Sequence, residues 1–200
     1  MSVHSQPVKL SKSCTVAQYR THVEARNADA ISDFVVERFE ERYLTPISGD
    51  SKAKNGFTIM AISCLMIECL ESFRRGWPNT RSKSELAFCS FFSNWNAFAD
   101  FRPVSNEFYT HVRCGLLHQA ETTGAWRIIR SGPLRRDRTI NATRFLAALR
   151  VVLHLYAAQL RQEKWDSTTW VAFRKKMEAI CANTEVLSVK AELRSTKRLQ

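Results

Sequence analysis

At 200 residues, with 44% hydrophobic and 24% charged side chains, the chain is long enough to bury a real core, and its composition excludes a disordered or collagen-like protein. Thirty lysines and arginines against 19 acids leave a formal charge of +11. That balance favours an anionic partner, with nucleic acid ahead of a membrane surface because no basic amphipathic anchor stands out.

The six cysteines (Cys14, Cys64, Cys69, Cys89, Cys114, Cys181) form no CxxC pair and sit mostly among apolar neighbours. They read as small core hydrophobes in a reducing compartment, not as a disulfide framework. The N-terminus is polar and has no apolar signal region, so a cytoplasmic location is expected. The longest apolar run, 59–70, is interrupted by Ser63 and Glu68 and is short for a bilayer, so no membrane association is expected.

In chain order, residues 1–13 read as a flexible N-terminus, 14–182 as one helical domain and 183–200 as a basic tail carrying at most a weak helix over 186–193. Val16, Tyr19, Val23, Ile31, Phe34, Val35 and Phe39 recur at helical spacing, predicting one long or broken helix that stops before Pro46. Seven acids face three arginines between Glu24 and Asp50, so the basic surface lies elsewhere. Residues 47–56 read as a loop.

Residues 57–75 are apolar nearly all round and predict the central helix of a bundle. Glu68 is an acid in its interior. Its carboxylate either reaches solvent beside Glu71, the preferred alternative, or pairs with Arg113 and orients it. Ser82-Lys83-Ser84-Glu85 has the form of a capping box ahead of a helix rich in phenylalanine. No basic residues interleave with those rings, so they predict core and not a base-stacking platform.

The stretch 105–121 carries the chemistry. Ser105 is placed to cap a helix, and Phe108, Val112 and Leu116 form an apolar stripe at i, i+4, i+8. The other side gathers Thr110, His111, Arg113, Cys114, Leu117 and His118. At about 100° per residue Arg113 and His118 lie about 140° apart, so one chain splays them, whereas two copies about a two-fold axis can close them into one cleft. His111, Cys114 and His118 share a face at i, i+3, i+7, but no fourth ligand is evident and Arg113 would be repelled by a dication. No metal and no cofactor are therefore expected.

Beyond this helix, 124–133 predicts a short strand and turn, with 138–140 as a return strand, giving a small β-hairpin. Arg127, Arg130, Arg135, Arg136, Arg138, Arg144 and Arg150 face the single acid Asp137 between Trp126 and Arg150. The first five are the expected RNA-binding residues, since a planar guanidinium fork suits phosphate oxygens. Residues 141–164 predict a long helix with Phe145, Leu149, Val152 and Tyr156 inward and His154 in the core or at its rim. Asp166 or Ser167 caps a last helix carrying Trp170, Phe173 and Met177.

The string Arg113-Cys114-Gly115-Leu116-Leu117-His118, set in a helical chain, resembles the Arg-x4–6-His motif of the HEPN family, whose name abbreviates higher eukaryotes and prokaryotes nucleotide-binding. The resemblance covers residues 30–156 or so. It implies an all-α, HEPN-like bundle that dimerises through the motif helix, and for many members metal-independent cleavage of RNA. The motif positions map onto Arg113 and His118, with Cys114 in place of the polar residue often found after the arginine. Glu68, His111 and Cys114 are then candidate supporting residues. A histidine can move the proton of a ribose 2′-hydroxyl as it attacks its neighbouring phosphate, and an arginine can stabilise the charge that builds there, giving a 2′,3′-cyclic phosphate end. The alternative is a non-catalytic RNA- or nucleotide-binding dimer, and a regulatory protein partner is compatible with either.

Overall fold

The computed structural model describes residues 8–48 and 55–196, with side chains described up to 185. It is a mostly helical bundle with a small β insertion, as the periodicities predict. The helices are α1 (Val16–Glu24), α2 (Ala28–Phe39), α3 (Gly56–Arg75), α4 (Ser84–Asn94), α5 (Ser105–Glu107), α6 (Cys114–Gln119), α7 (Ala142–Gln162) and α8 (Thr168–Thr196). The strands are β1 (Arg127–Ile129), β2 (Arg135–Arg136) and β3 (Thr139–Asn141). Most of the loop expected over 47–56 and the tail beyond 196 lie outside the described residues.

The described chain divides into two compact units, one of residues 8–38, 73–78 and 157–196, the other of 39–48, 55–72 and 79–156. In the first, Val16, Tyr19, Ile31, Phe34, Val35, Leu160, Trp170, Phe173 and Met177 are buried. The Trp170 indole donates to the Leu160 carbonyl at 3.0 Å, which satisfies a polar group the core would otherwise strand. The segment before Cys14 is tied down from residue 8 onward: Leu10 is fully buried, and the Ser11 and Ser13 hydroxyls donate to Glu37. One apolar residue and two serines in a polar run carry too little signal to announce this. Burial opposes the charged form of Glu37, but these bonds outweigh it and hold the carboxyl below its usual range.

α1 is closed by a capping box in which Thr15 and Gln18 bond each other's backbone amides. The capping box expected at Ser82 does not form. α4 starts where predicted, but its N-cap is Lys83 without a side-chain bond, and Ser82 has a positive φ of 57°. The motif helix likewise opens without a Ser105 cap. A 3-10 stretch, Asn96–Val104, with Pro103 inside it, runs directly into α5, so Ser105 is already helical. Ser167 does cap α8, with its hydroxyl 3.4 Å from the Trp170 amide.

The second unit is built on phenylalanine. Phe88, Phe91 and Phe92 of α4, Phe98 and Phe101 of the 3-10 stretch, Phe108, and Phe145 of α7 are all fully buried, with Phe108 stacked on Phe145 at 5.6 Å and edge-on to Trp126 at 6.2 Å. Phe108, Val112 and Leu116 face this core as their spacing requires. α3 is long and apolar enough to cross a bilayer by length and composition. Ile59, Met60, Cys64, Met66, Ile67 and Leu70 on it are nevertheless buried within the fold, together with Glu68 and Glu71.

The sheet departs from the simple hairpin. β2 and β3 form the antiparallel pair, and β1 lies on the other side of β3, parallel to it, in the order β1-β3-β2. The register aligns Arg127, Thr139 and Arg136 across the three strands, and Ile128, Ile140 and Arg135 in the next row. Paired residues share a face, so the two rows point to opposite sides. Ile140 marks the inner side, since it is fully buried.

Candidate functional site

Residues 105–119 form one continuous helical run, but its middle, Phe108–Arg113, is π-helical. The Cys114 amide donates to the Tyr109 carbonyl, five residues back. A π turn advances each residue by less than the ~100° of an α-helix, so residues four and five apart return to one side. Tyr109, Arg113 and Cys114 therefore gather on the same face.

That face meets α3. Arg113 Nε donates to Glu68 Oε1 at 2.8 Å, and the two side chains are 16% and 9% exposed. The Ser84 hydroxyl at the start of α4 donates to the other carboxylate oxygen, also at 2.8 Å. Glu68 is thus held from two helices and fixes the guanidinium. Of the two alternatives for Glu68, the pair with Arg113 is the one that forms. Its neighbour Glu71 is fully buried and accepts from Ser90 at 2.6 Å, so no solvent route opens beside it. Burial works against the charge on Arg113, but the Glu68 carboxylate and its hydrogen bond outweigh this and raise the guanidinium above its ordinary value. Nε is the atom bonded to Glu68, so the carboxylate does not engage the Nη groups.

The Tyr109 ring lies 5.7 Å from the Arg113 guanidinium carbon and 5.8 Å from Phe88. Its hydroxyl and Arg113 both interact with the half-buried Cys114 thiol. Cys64 is fully buried on α3, one turn before Glu68, and burial pushes its thiol up. Sequence reasoning missed Tyr109 and Ser84. The i, i+4 spacing of Tyr109 and Arg113 is the signal that could have found the first, whereas the second comes from a separate helix and has none.

The two histidines part company. His111 Nδ1 lies 2.8 Å from the Thr123 hydroxyl, and its carbonyl accepts from the Thr123 amide at 2.9 Å. It fastens the returning loop and is not part of the Arg113 cluster. Two glycines allow that return. A Cβ on Gly115 would sit 2.5 Å from the Glu121 carbonyl oxygen, and one on Gly124, at φ 60°, would strike the His111 ring at 2.7 Å. His118 lies in the last turn of α6, exposed and without a hydrogen bond or ion pair among the described residues. One chain therefore brings together Arg113, Glu68 and Cys114, with no contact to His118 among the described bonds. Leu117, one turn after Arg113, is 36% exposed, and Leu65, one turn before Glu68, is 41% exposed.

The five expected RNA-binding arginines also divide. Arg130 bonds Thr143 and Asn55, and Arg138 pairs with Glu107 at 3.0 Å. Arg135 belongs to the inner row: it lies 5.9 Å from the Phe101 ring and donates to the Asp137 carbonyl at 2.5 Å. Arg127 and Arg136 are exposed on the outer row, either side of Thr139, without side-chain partners among the described residues. Two strand spacings place their Cα atoms roughly 10 Å apart. Arg144, at the start of α7, is similarly exposed, whereas Arg150 is held by Glu40 at 2.8 Å. His154 is exposed, not at a core rim, beside Val151 and Leu155, which are 52% and 49% exposed.

No family model matches the chain, and no curated protein or solved structure matches it either.

Proposed function

We propose that this chain is a metal-independent endoribonuclease that works as a homodimer, with Arg113 and His118 as the reacting residues and Glu68 positioning Arg113. The observation that carries it is the buried Glu68–Arg113 pair, in which the carboxylate fixes a guanidinium through Nε and does not engage its Nη groups. A catalytic cation needs that preorganisation, since a freely rotating arginine would have to be ordered during the reaction.

His118 is the other half. It has no orienting partner among the described residues, and the apolar residues Leu65 and Leu117 stand exposed one turn from Glu68 and Arg113. A second copy packed on this face about a two-fold axis would cover both leucines and bring a His118 toward an Arg113. The histidine then takes the proton of the 2′-hydroxyl as that oxygen attacks the adjacent phosphorus. The bond from phosphorus to the 5′-oxygen breaks, that oxygen takes the proton that the imidazole accepted, and a 2′,3′-cyclic phosphate remains. Arg113 Nη groups meet the charge on the non-bridging oxygens.

The test is incubation of the chain with labelled single-stranded RNA and sequence-matched DNA in EDTA. RNA shortened to products with cyclic phosphate ends, with DNA intact, is the expected result. Cleavage of both, or cleavage that requires an added metal, would defeat the mechanism. The second reading, RNA binding without cleavage, draws on Arg127, Thr139 and Arg136, a row that offers two cations and a hydroxyl but no group to move a proton. It predicts a salt-sensitive shift of intact RNA in the same lanes.

Under either reading the outer row carries phosphate contacts. Replacing Arg127 and Arg136 together by glutamine is expected to flatten the dependence of log K on log salt by about 1.4, since each single-strand phosphate contact contributes about 0.7. Fluorescence anisotropy across a salt series measures it. A slope equal to wild type would take the sheet out of the RNA path.

A further inference from the structure

We propose that Tyr109 is a positioning residue of the Arg113 site, its ring setting the plane of the guanidinium that Glu68 holds by one edge. This rests on the endoribonuclease reading above. A single Nε bond fixes a point on the guanidinium but leaves rotation about that bond, and the Nη groups that must meet a phosphate lie at the far end of it. The Tyr109 ring, 5.7 Å from the guanidinium carbon, supplies a constraint on its face, beside the interaction with Cys114.

The backbone is built to provide it. With regular α geometry, Tyr109 would share a face with Arg113 but stand ~140° from Cys114. The π turn closed by the Cys114 amide and the Tyr109 carbonyl brings all three to one side. The ring is itself braced by Phe88 at 5.8 Å. Burial, chiefly, raises the Tyr109 phenol above its ordinary value, so it stays a neutral hydrogen-bond donor and puts no negative charge beside the phosphate.

The experiment compares wild type, Tyr109→Leu and Tyr109→Phe as full chains, by RNA cleavage kinetics and by NMR exchange of the Arg113 Nε proton with water. Leucine keeps the apolar packing on Phe88 and removes the aromatic face; phenylalanine keeps the face. The expected result is kcat lowered about ten-fold in Tyr109→Leu, with KM within about two-fold of wild type. Nε exchange should be about ten-fold faster in that variant, and Tyr109→Phe should lie near wild type in both measurements. Tyr109→Leu matching wild type in kcat would overturn the role. Faster exchange with unchanged kcat would overturn it too, because the ring would then order the fold and not the reaction. A wild-type chain that cuts no RNA overturns the reaction, and this role with it, whereas a cutting wild type matched by Tyr109→Leu overturns the role of Tyr109 alone.

Discussion

Replacing Glu68 by alanine is expected to destabilise the fold by about 3 kcal/mol, the lower end of what breaking a buried ion pair costs. The wild-type pair sits at 2.8 Å with both side chains largely covered. Without the carboxylate, the Arg113 guanidinium remains buried against α3 without its counter-charge, and the Ser84 hydroxyl loses its acceptor. For a chain of this size that loss corresponds to a fall in Tm of about 6–12 °C. The companion variant separates this cause from generic damage to α3. Changing Glu68 and Arg113 together to methionine removes both charges while keeping volume, and is expected to recover most of the stability, since an apolar replacement of a buried pair is often neutral. Urea denaturation of both variants measures the effect. A single alanine variant within about 0.5 kcal/mol of wild type would show that water reaches the pair freely.

His118→Ala should behave in the opposite way. The side chain is exposed and makes no bond among the described residues, so stability should change by less than about 0.5 kcal/mol. RNA cleavage should nevertheless fall by about 10²–10⁴-fold, the span a positioned general acid or base contributes. The contrast with Glu68 is the useful part: one residue matters to the fold and through it to the site, the other only to the reaction. A His118→Ala protein that cuts RNA at the wild-type rate would return the histidine to the ordinary surface.

Much of the architecture is legible in the sequence because it follows from spacing alone. Phe108, Val112 and Leu116 lie inward, and so do the phenylalanines of α4 and the stripe of α7. What the spacing cannot carry is competition for hydrogen bonds and changes of pitch. Ser84 gives its hydroxyl to Glu68, a partner on another helix that spacing along α4 does not announce, because a buried carboxylate needs donors. His111 is taken by Thr123, a partner made available only by a loop that returns over Gly115 and Gly124. That Cys114 joins the face of Tyr109 and Arg113 is hidden by the π turn. Among the arginines the sheet register decides: Arg135 and Arg136 are adjacent in sequence, so they point to opposite faces, and only the pairing with Thr139 and Ile140 tells which is which.

In the proposed dimer, Arg113 of one copy and His118 of another make one site. Mixing Arg113→Ala with His118→Ala protein, each inactive alone, tests this directly. Random exchange of subunits gives mixed dimers in which one of the two sites has both native residues. Recovery of about a quarter of the wild-type RNA cleavage, rising and saturating with subunit exchange, is the predicted result. No recovery from two variants that are folded, dimeric and demonstrably exchanging would contradict the shared site.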